Sequence, residues 1–146
     1  MVDFKRPESV LVVIYTEHGD VLRLRRCIPL DFWQSVTGSL HYGETPRQAA
    51  IREVREETGL LADERLTDSS IVNSYPIHPA WHAKFAPEVT ENIEYVFSLR
   101  LPARTTIRLD PAEHAEYRWL PRVEAAVLAS SRTDREAILV LVPSKR

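Results

Sequence analysis

Apolar and polar positions along this chain alternate between two periods, and the changes of period mark its elements. Ser9 to Tyr15, SVLVVIY, is an unbroken β-branched and apolar run, the pattern of a strand covered on both faces at the centre of a sheet. A turn, EHGD, separates it from Val21 to Arg25, VLRLR, which alternates as a half-buried strand and completes a predicted hairpin. Phe32 to Thr37, FWQSVT, reads as a third strand. Ile71 to Ile77 is a weaker one, demoted to an edge or a strand end by Pro76, and Ile93 to Leu101, IEYVFSLRL, is strong. Short strands are expected at Thr105 to Leu109 and Glu116 to Leu120. Pro121 opens a helix to about Ser130, and Thr133 with Glu136 forms a capping box for a last helix ending before Pro143. Ala137, Ile138, Leu141 and Val142 supply the packing face of that helix.

The helical period appears between these strands, in GSLHYGETPRQAAIREVREETGL from Gly38 to Leu60. Thr45 can cap the helix, Pro46 suits its first turn and Gly59 can end it. At about 100° per residue, Glu53, Glu56 and Glu57 fall within roughly one third of the circumference, beside Ala49. Ala50, Ile51 and Val54 lie towards another face, able to pack on the sheet. Arg52 is spaced to pair with Glu56, which leaves Glu53 and Glu57 without a counter-charge. A hard divalent cation such as Mg²⁺ would supply one, and the carbonyl of Gly38 could add a neutral oxygen ligand. A solvated, glutamate-rich helix face is the competing reading. Glu44, at the helix start, suits a structural hydrogen bond.

The spacing of the whole stretch decides between them. Gly38, Glu44, Arg52, Glu53, Val54, Glu56, Glu57, Gly59 and Leu60 fill, without a gap, the signature of the Nudix hydrolases, which this chain therefore resembles. Periodicity alone gives a layered α/β arrangement. The resemblance implies more, an α/β/α sandwich around a mixed central sheet. It also implies hydrolysis of a phosphoanhydride, with Glu53 and Glu57 as metal ligands, Glu56 as a further ligand or general base, and Arg52 orienting a glutamate. Mg²⁺ is the expected cofactor, with Mn²⁺ as a substitute.

Composition narrows the partners. Nineteen basic against 21 acidic residues give a net charge of −2 with no basic stripe, which argues against a polymeric nucleic acid. No apolar run reaches the length of a membrane span and no apolar signal core opens the chain. The single cysteine, Cys27, excludes an internal disulfide and fits a reducing compartment, so a cytoplasmic, one-domain protein over residues 1–146 is expected. The sequence leaves the oligomeric state open.

Outside the helix, Lys5 precedes Pro7 in an extended segment able to reach the mouth of a site, and Arg25 and Arg26 end the hairpin, their alternation offering one of them to a phosphate. His78 to Asn92 is too long and irregular for an ordinary connection, and it carries His78, Trp81, His82, Lys84 and Phe85, able to hold a planar ring and an anion or simply to pack beneath the loop. Beyond the signature, KRPESVLVVIY, RLRRC, DFWQSVTGSL, FAPEVTEN, EHAEYRWL and DREAI are similar to the Nudix subgroup that removes pyrophosphate from dihydroneopterin triphosphate. That resemblance implies substrate contacts at Lys5, Arg25, Thr37 and Ser131, and a remote metal-binding carboxylate at Glu113. It places Tyr75, Pro76, Ile77 and His78 in the heterocycle pocket by position, although YPIH departs from the subgroup's residues. A hydrolase of dATP or oxidised nucleotides is the nearest alternative, and a noncatalytic nucleotide-binding module the alternative of another class.

Overall fold

A computed structural model describes residues 4–144. Strand β1 (Glu8–Thr16) lies at the centre, as its unbroken apolar run predicts. Its side chains alternate between two cores. Val10, Val12 and Ile14 enter one with Ala49, Ala50 and Val54 of α1 (Pro46–Thr58), while Leu11 and Val13 enter the other with alanines of α2 (Arg122–Leu128) and Ala137 and Ile138 of α3 (Arg132–Leu141). Each valine, leucine or isoleucine among them contributes about 1.5–3 kcal/mol by leaving water. Helices thus cover both faces of a seven-stranded mixed sheet, the expected α/β/α sandwich.

The strands run in the order β3 (Trp33–Gln34), β2 (Asp20–Arg26), β1, β6 (Glu91–Leu101), β5 (Leu66–Pro76), with β4 (Val36–Ser39) pairing β1 and β7 (His114–Pro121) pairing β2. Only β1 and β6 pair in parallel among the described strands. Helix α1 has the expected ends: Thr45 accepts from the amide of Gln48, whose side chain accepts from the amide of Thr45, and Gly59 closes it at φ 78. A left-handed residue there favours glycine. No helix among the described residues is long and apolar enough to cross a membrane.

Several local expectations change. Phe32 to Thr37 is two strands because the Ser35 amide donates to Asp134 Oδ2 at 2.9 Å and leaves the ladder. Strand β2 is not half-exposed, since Arg23 is wholly buried against Asp134. Strand β5 begins at Leu66, five residues before its apolar pattern does; it is an edge strand, so polar side chains on it can face solvent. Thr105 to Leu109 is no strand. Its polar groups are met singly, with Ile107 N facing the Tyr117 hydroxyl and Arg108 N donating to the Thr58 carbonyl at the end of α1. Ile51 is 38% exposed rather than packed. The last helix is capped by Ser131, which accepts from Asp134 N, two residues before the expected Thr133; Glu136 pairs instead with Arg132.

Candidate functional site

Ala50, Val54 and Glu57 follow one another at spacings of four and three, so the stripe of α1 that packs on the sheet carries a carboxylate at its end. Glu57 is 1% exposed, and neither of its carboxylate oxygens has a hydrogen-bond partner among the described residues. Burial pushes its carboxyl well above the usual range, and the neighbouring charges of Glu53 and Glu113 push the same way. Burial also raises Glu53, against the opposing pull of Arg52. A Cβ at Gly38 would overlap the Glu53 carboxylate, so this glycine is what lets the carboxylate rest against strand β4.

Glu113 reaches the same place from the other side of the sheet's end. Its amide donates to Asp110 O, and its carbonyl accepts from Cys27 N at the end of β2, which fixes the junction before β7. Ligand atoms of Glu57, Glu113 and His114 lie within 4.8 Å of one another. His114 is not the counter-ion of this group. Desolvation lowers its pKa to about 4, and its Nε2 lies 3.0 Å from the Gln34 amide nitrogen, which can only donate, so the ring is a neutral acceptor there. Orphaned buried carboxylate oxygens, with further acids beside them, fit a hard divalent cation that takes oxygen ligands.

Arg52 holds the preceding loop to the helix rather than serving Glu56 alone. It grips Glu44 through Nε and Nη2 at 2.8 and 2.9 Å, donates to Ser39 O, and lies 3.4 Å from both Glu53 and Glu56. Glu56 is the most exposed of the helical acids, on the side away from the sheet. With Arg52, it lines a shallow outer groove beside Arg55 and Arg108.

A cavity of about 540 Å³ adjoins the buried acids. Lys5, Thr37, Gly38, Glu53 and Glu113 line it, as do Tyr75 to His78 and Ser131. One wall is aromatic, with Phe32 and Trp81 edge to face at 5.3 Å and His78 tilted against Trp81 at 4.9 Å. Trp81 belongs to a 3₁₀ turn, Pro79–Lys84, inside the long loop. Lys5 lies exposed at the mouth; desolvation and then Lys84 lower its pKa, while Glu113 and Glu53 oppose them.

Arg25 is the exception among the substrate contacts expected from the sequence. It does not line the cavity but pairs with Glu116 at 3.0 Å and lies over Trp33. Arg26 lines it instead, 5.2 Å from the centre of the Trp81 ring. The pairing register shifts between these two arginines, which defeats a reading by alternation. The sequence pattern also passed over Gln34 and His114 behind the acids, and Asn92 and Glu94 in the cavity; Asn92 and His114 fall just outside the strands expected there, and Gln34 and Glu94 are polar positions within strands.

Comparison with known proteins agrees with this geometry. The NUDIX domain family matches residues 5–141. Dihydroneopterin triphosphate diphosphatase of Escherichia coli is 44% identical over 139 residues, 92% of this chain and 91% of that protein. The Haemophilus influenzae protein of the same name is 37% identical over 142 residues, 94% of this chain and 89% of that one. The solved structure of the E. coli dihydroneopterin triphosphate pyrophosphohydrolase superposes with a TM-score of 0.90 at 42% identity, covering 97% of this chain and 98% of that chain. A signature helix that buries Glu57 against Glu53 and Glu113, within a sandwich shared along nearly its whole length, makes this chain a member of the Nudix family.

Proposed function

We propose that this Nudix enzyme hydrolyses dihydroneopterin triphosphate to dihydroneopterin monophosphate and pyrophosphate, using Mg²⁺, with Mn²⁺ able to replace it. The observation that carries the chemistry is the pair of unpartnered Glu57 oxygens beside Glu53 and Glu113, at the foot of a cavity walled by Phe32 and Trp81. The relatives that match along nearly their whole length, with their printed activity, support the substrate.

Glu53, Glu57 and Glu113 would hold the cation, with the Gly38 carbonyl as a further oxygen. When bound, it neutralises phosphoryl oxygens that these acids would otherwise repel and acidifies water. Lys5 and Arg26 stand where they can receive the phosphate charge, and Thr37 can donate a hydroxyl. Water adds to one phosphorus of the α,β-anhydride, the bond from that phosphorus to the bridging oxygen breaks, and the departing phosphate group takes the bonding electrons, giving the monophosphate and pyrophosphate. Glu56, exposed and within reach of solvent, is the candidate to take the water's proton or to add a ligand. Arg52 acts by fixing Glu44 and Ser39 so that the loop holds Gly38 in place. Tyr75, Pro76, Ile77, His78 and Ser131 border the heterocycle in this reading, and Arg25 stays outside it.

The test is purified protein with Mg²⁺ and dihydroneopterin triphosphate, measuring pyrophosphate and phosphate separately beside dATP and oxidised dGTP. Pyrophosphate release with a strong pterin preference is expected. Equal or better turnover of a nucleotide would transfer the same chemistry to nucleotide hydrolysis.

A further inference from the structure

Two buried carboxylates on the cavity wall stand in opposite states. Asp134 is fully used: it accepts two bonds from Arg23 and two from Ser35, and the guanidinium balances its charge. Glu94, 3% exposed on β6, has neutral partners only among those described. Asn73 Nδ2 donates to Oε1 at 3.2 Å, the Tyr75 hydroxyl donates to Oε2 at 3.3 Å, and Thr133 adds a side-chain bond. Two carboxylate oxygens offer about four acceptor sites, of which these three donors leave one.

Asn92, 4% exposed, continues the same surface. Its Nδ2 donates to Ser9 Oγ at 2.7 Å and to the Tyr75 hydroxyl at 3.2 Å, while its Oδ1 has no partner among the described residues. An unmet buried acceptor is costly, and both Asn92 and Glu94 line the cavity. Burial pushes the Glu94 carboxyl upward against the pull of the hydrogen bonds from Asn73, Thr133 and Tyr75. The ligand that satisfies this patch must bring N–H groups side by side. A 2-amino-4-oxo pyrimidine ring does so, presenting an amino group next to a ring N–H; pterins and guanine share that edge, whereas adenine places a bare ring nitrogen beside its amino group.

We infer that Glu94 is a specificity-determining residue, accepting through its remaining site one of the two hydrogen bonds offered by the amino and ring N–H of a 2-amino-4-oxo heterocycle, with Asn92 Oδ1 accepting the other. The inference rests on the Proposed function for the cavity's role and adds the atoms that read the ring. A site built around such bonds rejects rings that lack the donors, because its own polar groups are then left unpaired. A plain structural role, pinning β5 to β6, would show no such discrimination.

Steady-state kinetics of wild type and Glu94→Gln on dihydroneopterin triphosphate, dGTP and dATP, with a fluorescence titration by phosphate-free neopterin, test it. Glu94→Gln should raise KM for the first two on the order of tenfold to a hundredfold, with little change in kcat. Neopterin binding should weaken by a similar factor, and the effect on dATP should be smaller. Equal losses on all three, or no loss on any, overturn the inference. If Glu94→Gln fails to fold, Glu94→Asp, which keeps the charge and withdraws it by one methylene, must show the same selective loss. The wild-type comparison separates the two claims. Preference for dGTP over dATP without pterin turnover sinks the pterin reading and upholds Glu94; preference for dATP over dGTP sinks Glu94 as well.

Discussion

Arg23 Nη2 lies 2.6 Å from Asp134 Oδ2, with both side chains sealed from solvent, so a single ion pair joins the second strand to the first turn of the last helix. Asp134 also takes the Ser35 amide and hydroxyl, which turns the chain between β3 and β4 towards the motif loop. Removing one partner leaves an uncompensated buried charge. Arg23→Met should therefore cost roughly 3–5 kcal/mol in urea unfolding, and Arg23→Met with Asp134→Leu should recover part of that. A loss within the range of ordinary surface substitutions would show that the pair is replaceable.

Glu57→Gln keeps the shape of a side chain whose charge burial disfavours. Turnover should fall at least a hundredfold, roughly the loss seen when one group stabilising transition-state charge is removed. The metal-free variant should melt no lower than wild type, and adding Mg²⁺ should raise its melting temperature less. Undiminished kcat would remove Glu57 from the site.

Arg25 and Arg26 give a paired test, since one faces Glu116 and the other the cavity. Arg26→Ala should raise KM about tenfold, the loss of a charge-assisted contact, while Arg25→Ala leaves it near the wild-type value. The reverse order would show that the arginines exchange places when substrate binds.

Glu44 carries a pH signature. The hydrogen bonds from Arg52 hold its carboxyl down at about 2, below the ordinary 4.5. Its contribution to stability is therefore full above pH 4.5 and fades as pH falls towards 2. Melting temperatures of wild type and Glu44→Gln should differ near neutrality and converge as the pH drops through that window. A difference that persists to the acid end would assign the effect to shape rather than charge.

The helix at 46–58 was legible because everything it needs is local: Thr45, Pro46 and Gly59 set its ends, and the Ala50, Val54, Glu57 stripe places an acid on its packing face. Central strands were legible for a related reason, since β1 and β6 are apolar on faces that both meet helices. What escaped depends on partners far along the chain. Arg23 looks like a solvent-facing position until Asp134, 111 residues later, comes to meet it. Thr105 to Leu109 alternates like a strand but finds a helix end and a tyrosine instead of a neighbour. Asn92 and Glu94 occupy alternate positions that read as polar surface, until Ser9, Asn73 and Tyr75 from neighbouring strands bond to them and the start of α3 closes over the same cavity. Capping followed the same rule, for Ser131 and Thr133 are both good caps and the Asp134 pair selects the first.

Strand β5 has one hydrogen-bonded neighbour, β6, and it carries Tyr75 and Pro76 at the end that opens on the cavity. The acids that would drive hydrolysis belong to α1 and to the junction before β7, and they share no ladder with β5. Changes in the length or sequence of the edge strand therefore disturb a single row of backbone bonds and leave the reaction's geometry standing. Such a chain can acquire a new preferred ring by drift along its margin, keeping an unaltered hydrolytic apparatus throughout, and the departure at Tyr75–His78 is where that history would be written.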